Sequence, residues 1–172
     1  PDRYVTYNYV EKSWAIGLLE RTAWLDEGIV AFPRAAGKDS STPYLYQHET
    51  GNDNDGSPMD NVYIESADFD IGDGEQFQFI RRMIPDVKFT GTGGSDQQIN
   101  VVLKQRNYPR NSLTTDQTTS FTASTTKIDM RARARQAALR FESDDDANSG
   151  VRQGVGSRVG GTRLDLQPNG RR

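Results

Sequence analysis

The stretch 127–143, KIDMRARARQAALRFES, decides the fold class. From Ile128 the apolar residues Met130, Ala132 and Ala134 hold one parity, and Asp129, Arg131, Arg133 and Arg135 hold the other. A period of two is that of a half-buried strand, one face packed and one wet. At Gln136 the phase reverses, so that Ala137, Leu139 and Phe141 share a face. A bulge or tight bend is therefore expected between Arg135 and Ala137, making the segment two strands or one kinked strand. These residues read as sheet and carry no reactive apparatus.

The 172-residue chain is 34% hydrophobic, which suits one or two thin cores such as a sandwich rather than a large enzyme core. It has no run of about 18 apolar residues and no signal-peptide pattern, so no membrane partner is expected. With no cysteine and the single histidine His48, disulfides, thiolate metal sites, cysteine nucleophiles and histidine-rich metal sites are excluded, and no cofactor is expected. The net charge of −3 is unevenly spread: residues 131–172 hold nine Arg against five acids, +4, which leaves −7 on residues 1–130. A generally basic surface that coats nucleic acid is not supported, although the arginine face of the strand remains. Arg131, Arg133 and Arg135 are either a solvated face with ion pairs or a contact to another subunit or to DNA. The preference of arginine for bidentate partners does not separate these readings.

Along the chain, YVTYNYV opens an aromatic, β-prone run that reads as the middle of something larger. The run WAIGLLERTAWLDEGIVAFP supplies short strands broken at Gly17, at Asp26 to Gly28 and at Pro33. Gly17 and the DEG turn weaken a helical alternative over Trp14 to Trp24. Residues 35–42 read as a polar loop, TPYLYQHE as a strand, and GNDNDGSPMDN as an acidic connector in which a domain boundary is placed near Pro58. Residues 1–58 have the grain of β-propeller blades, with the remaining blades supplied by chain outside this sequence. Residues 59–172 read as an antiparallel β-sandwich with the longer strands NVYIESADFDI, EQFQFIRRMIPDVKF and QQINVVLKQRNYP. The Thr-rich stretch NSLTTDQTTSFTASTTK suits β structure or an extended surface loop. The fold class is all-β.

Candidate chemistry is weak everywhere. Asp53, Asn54, Asp55 and Gly56 open like a calcium loop, but Ile64 stands where the twelfth-position Glu belongs, so an ordinary polar turn is expected. Asp68, Asp70 and Asp73 offer carboxylates, the first two on one strand face, but acid and base work needs a desolvated pair with split pKa values, which sequence does not show. GTGGS at 91–95 lacks a following Lys-Ser or Lys-Thr and reads as a hairpin turn. His48 reads as a satisfied polar histidine, and Trp14, Trp24, Tyr4, Tyr7 and Tyr9 read as core rather than as stacking platforms.

Taken together, YNYVEKSWAIGLLERTAWLDEG, YLYQHETGNDNDG, IESADFDIGDGEQFQFIRRMIPDVKF, RARARQAALRFES and GSRVGGTRLDLQPNGRR cover most of the chain. In order and combination they resemble the C-terminal region of propeller-plus-sandwich virion proteins of short-tailed bacteriophages: tail nozzle, tail tubular or packaged-DNA-stabilising proteins. The resemblance implies a non-enzymatic structural subunit in the virion tail. It further implies a homo-oligomeric ring, a hexamer, that joins a portal or adaptor to other tail proteins, retains the packaged genome and touches viral DNA transiently in its lumen. It brings no catalytic residues. Arg131, Arg133 and Arg135 are then the candidates for subunit or DNA-lumen contacts. The rival reading is a carbohydrate- or receptor-binding β-sandwich module of a phage tail, with a tail hydrolase third.

Overall fold

A computed structural model describes residues 2–39, 41–51, 62–91, 97–143 and 155–171. These residues form an all-β protein of two units, residues 1–51 and 52–172, joined by antiparallel pairing throughout within each. The expected boundary near Pro58 lies outside the described residues, as do Asp53, Asn54, Asp55 and Gly56.

In unit 1, β1 (Arg3–Asn8) and β2 (Ser13–Leu18) form a two-stranded hairpin, and β3 (Ala23–Leu25), β4 (Arg34–Asp39) and β5 (Thr42–Gln47) form a three-stranded sheet in that order. Its strands divide two and three rather than into a four-stranded blade. The stretch read as a polar loop from Ala35 is the central strand β4, paired on both sides. RAAGKD has little β propensity of its own, so its neighbours impose the strand. Gly37 shows how: a Cβ there would stand 2.7 Å from the carbonyl oxygen of Glu20 and 3.2 Å from the Tyr46 ring. Among the described residues of this unit only Pro33 and Ala35 are buried.

Unit 2 is a sandwich. One layer is β10 (Thr114–Thr122), β9 (Gln98–Arg106), β12 (Gln136–Glu142) and β6 (Tyr63–Glu65), in that order. The other layer is the sheet β11 (Ile128–Ala134), β7 (Gln78–Ile84), β14 (Arg163–Pro168), and a separate pair, β13 (Val155–Val159) with β8 (Val87–Gly91), packs Val87, Phe89 and Val159 against the core. The phase reversal read from the sequence is the passage between layers. Strand β11 buries Ile128, Met130, Ala132 and Ala134 and pairs with β7, and after Arg135 the chain continues as β12, which pairs with β9 and β6. Ala137, Leu139 and Phe141 then enter the same core from the opposite side, against Ile80, Met83, Ile99, Val101, Leu103 and Phe121.

Two other segments differ from their expected strands. EQFQFIRRMIPDVKF breaks into β7 and β8 at Pro85 and Asp86, because proline has no N–H to donate to a ladder. Of NVYIESADFDI only β6 is a strand, with one further bridge between Phe69 and Ala137. The Thr-rich stretch contains the nine-residue strand β10. Residues 92–95 of GTGGS, expected as a hairpin turn, lie outside the described residues. Strand β8 bonds β13, and β9 bonds β10 and β12.

Leu103 is fully buried opposite Leu139. Leu103→Ala is expected to lower the stability of unit 2 by about 2–5 kcal/mol, the range for a buried Leu truncation. Tyr108→Ala, at an exposed position, is expected to stay within about 0.5 kcal/mol of wild type. Urea unfolding followed by far-UV circular dichroism measures both, and equal effects would contradict the assigned core.

Candidate functional site

The alternation of β1 and β2 sorts the hairpin into two unequal faces. Directly opposed residues of an antiparallel pair project to the same side, and the register pairs Val5 with Ile16, Tyr7 with Trp14 and Arg3 with Leu18. One face is thus a continuous aromatic and aliphatic stripe. The rings of Tyr7 and Trp14 lie 4.5 Å apart between centroids. Trp14 is 71% exposed, Ile16 82% and Leu18 78%. On the other face the Tyr4 ring lies directly over Gly17, so a side chain there would have to displace the exposed Tyr4 ring. The turn is closed by Asn8, whose Oδ1 accepts from the backbone N–H of Val10 (3.0 Å) and Glu11 (3.1 Å), with Lys12 left-handed at φ 53°.

The tryptophans and tyrosines expected in a core are therefore at the surface of unit 1: Trp14, Trp24, Tyr4, Tyr7 and Tyr9 are all exposed. Their spacing along the strands carries a hydrophobic face, but sequence does not say whether another layer lies against it.

The three-stranded sheet carries a smaller packed cluster. Arg21 stacks its guanidinium over Tyr46 at 3.7 Å, donates from Nε to Nε2 of His48 (3.2 Å) and donates from Nη1 to the carbonyl of Glu20 (2.7 Å). The Trp24 ring lies 4.7 Å from the His48 ring. Because an arginine N–H occupies Nε2, the imidazole here is neutral, with its proton on Nδ1. Burial pushes the His48 pKa below its usual 6.5, and the Arg21 charge lowers it further against an opposing effect of Glu49. His48 is a satisfied structural group, its one acceptor nitrogen filled.

The arginine row of β11 does not act as a unit. Arg133 lies over the Phe77 ring at 4.0 Å and donates to Oδ1 and O of Asn169 (3.0 and 3.2 Å). Arg135 lies over the same ring at 4.7 Å and donates to the carbonyls of Glu75 (2.7 Å), Gly74 (3.3 Å) and Arg171 (3.1 Å). Both strap the segments before β7 and after β14 to the sheet. Arg131, exposed like Arg133, has no hydrogen bond or ion pair among the described residues. Nothing in an alternating R-A-R-A-R pattern distinguishes these fates, which depend on Phe77, a residue remote in sequence.

Asp68 and Asp70 flank the bridge residue Phe69 rather than lying on a strand. Asp68 pairs with Arg106, and Asp70 accepts from Nε2 of Gln136 at 3.0 Å. Among the described residues no group of three His, Cys, Asp or Glu side chains is placed to hold a metal ion, and no helix is long and apolar enough to cross a membrane. No family model and no curated protein matches the sequence.

Because the folded state holds His48 neutral, its contribution to the stability of unit 1 is complete above about pH 6.5. It is lost as the pH falls through the lowered folded value. Both tryptophans lie in unit 1, so tryptophan fluorescence follows this unit alone. The unfolding midpoint of unit 1 is expected to drop between about pH 7 and pH 5, and His48→Gln is expected to flatten that profile. A pH-independent wild-type midpoint would contradict the assignment.

Proposed function

We propose that this chain is a structural building block of a homo-oligomeric assembly, a ring subunit of the tail conduit of a short-tailed bacteriophage. The observation that carries the reading is the uncovered stripe of Val5, Tyr7, Trp14, Ile16 and Leu18 on a hairpin of unit 1. A lone two-stranded hairpin is marginal in water, and each large aliphatic or aromatic side chain gains about 1.5–3 kcal/mol when it is fully covered. The stripe is stable when protein lies against it. The free edges of β1 and β2 are further templates for association, and closed rotational symmetry uses one such contact repeatedly without leaving an end. Retention of packaged DNA, transient lumen contact and attachment to portal, adaptor and other tail proteins follow from the resemblance described above and belong to the same proposal.

The full chain is expected to sediment as an oligomer at micromolar concentration. Trp14→Asp combined with Ile16→Asp is expected to yield monomers, with the unfolding of unit 2 unchanged. Analytical ultracentrifugation and native mass spectrometry read the result. A wild-type monomer that binds a polysaccharide on a glycan array, with binding lost in Trp14→Ala, would overturn the assembly reading in favour of a carbohydrate-binding module.

A further inference from the structure

The double arginine in QFIRRMI sits at an irregularity of the sheet. Across β7 and β11 the register pairs Asp129 with Arg82 and then Ala132 with Ile80, so Met130 and Arg131 together face Arg81. On the other side Asp165 pairs with Arg82 and Leu166 with Ile80, which leaves Arg81 extra on β7. Bulges on both sides of one strand bend the sheet locally and re-aim side chains. At this place lies a recess of about 330 Å³ lined by Phe79, Arg81, Arg82, Lys127, Asp129, Met130 and Arg131.

The electrostatics of this recess are unbalanced. Four cationic side chains line it against the single carboxylate of Asp129. Arg82 is held by Asp165 at 3.7 Å, too long for a hydrogen bond, and its Nε has no hydrogen-bond acceptor. Arg81, Lys127 and Arg131 are exposed and have no hydrogen bond or ion pair among the described residues. Like charges that face each other across a ladder destabilise the pair, so Arg81 opposite Arg131 is an arrangement that an anion relieves. Guanidinium groups present paired N–H donors that match phosphate oxygens.

We propose that this recess is a binding site for phosphate groups, supplied either by a phosphorylated small molecule or by a nucleic-acid backbone. Arg81 and Arg131 would grip the oxyanion from the two strands of the bulge, Lys127 would add a point charge at the rim, and Arg82 would supply positive potential from behind. The assignment stands apart from the oligomer reading, since none of these residues belongs to unit 1. It also relocates the nucleic-acid candidate from the row Arg131, Arg133 and Arg135 to Arg131 with Arg81 and Lys127.

The test measures binding of tripolyphosphate by calorimetry and of a fluorescent DNA duplex by anisotropy at several salt concentrations, with poly-glutamate as a third probe. The full-length proteins compared are wild type, Arg81→Ala/Arg131→Ala, the charge-keeping Arg81→Lys/Arg131→Lys, and Arg110→Ala in the exposed β9–β10 loop. The alanine pair is expected to weaken phosphate binding about tenfold or more. The lysine pair should fall between, and Arg110→Ala should match wild type. Recess-dependent binding of tripolyphosphate without DNA supports a small-molecule source. Dependence in both arms, with a shallower salt slope for the alanine pair on DNA, supports a nucleic-acid source. Absent phosphate binding by wild type, binding unaltered in the alanine pair at an unchanged urea midpoint, or recess-dependent binding of poly-glutamate alone would each overturn the proposal.

Discussion

Between Ala134 and Gln136 the chain leaves one sheet of the sandwich and enters the other, and the core of unit 2 depends on that step being made at a single residue. Side chains alternate across a strand, so a straight continuation would have sent Ala137, Leu139 and Phe141 to the wet face. Arg135 absorbs the reversal. Ala132 and Ala134 on one layer, and Ala137 on the other, are fully buried, so the crossover passes close to the core with small side chains on both flanks. Larger residues fill the centre further along each strand, where Met130 and Ile128 face Leu139 and Phe141 within one apolar cluster.

The same residue fastens the end of the sheet. Arg135 and Arg133, two apart and on one face, would repel each other on a bare strand. Phe77 offers both guanidinium groups its negative ring face, and the carbonyls of Gly74, Glu75, Asn169 and Arg171 accept their donors. The backbone reinforces this closure: Phe77 donates to Gly170 at 2.8 Å and accepts from Asn169 at 2.7 Å, which extends the β7–β14 pairing past the strand ends. Two apparent ligand-binding arginines are thereby joints of the scaffold, and the neighbour at Arg131 is exposed.

How much of this was legible in the sequence follows from how local each determinant is. Strand β11, β12 and the break between them were readable, since alternation and its reversal are properties of adjacent residues. Strand β4 was not, because RAAGKD has no β-branched or aromatic residue and is held as a strand by partners on both sides. The break at Pro85 was readable in principle from the missing N–H but was hidden inside a long apolar run. Among candidate sites, the tryptophans were read as core because hydrophobicity predicts a tendency to be covered, while the identity of the covering layer is absent from the strand itself. The recess needed the registers of β7 with β11 and β14, so the adjacent arginines of QFIRRMI gave no sign of it.

Charge is handled differently on the two outer faces of the sandwich. On the β9–β12–β6 face, Lys104 pairs with Glu65 at 2.6 Å, Arg140 with Glu142 at 2.6 Å and with Glu65 at 3.8 Å, and Arg140 also stacks on Tyr63 at 3.7 Å. The register sets Arg140 beside Val102 and Lys104 beside Ala138, both of which are buried although they point away from the core. The aliphatic stems of the long cations cover these small side chains while their heads neutralise one another. A partner that bound here would have to break these half-buried ion pairs, at the desolvation cost of the freed ions. The β7–β11 face has no comparable set of carboxylates to answer Arg81, Lys127 and Arg131. On that face the carboxylates are Asp129, which lines the recess, and Asp165, which pairs with Arg82 at 3.7 Å.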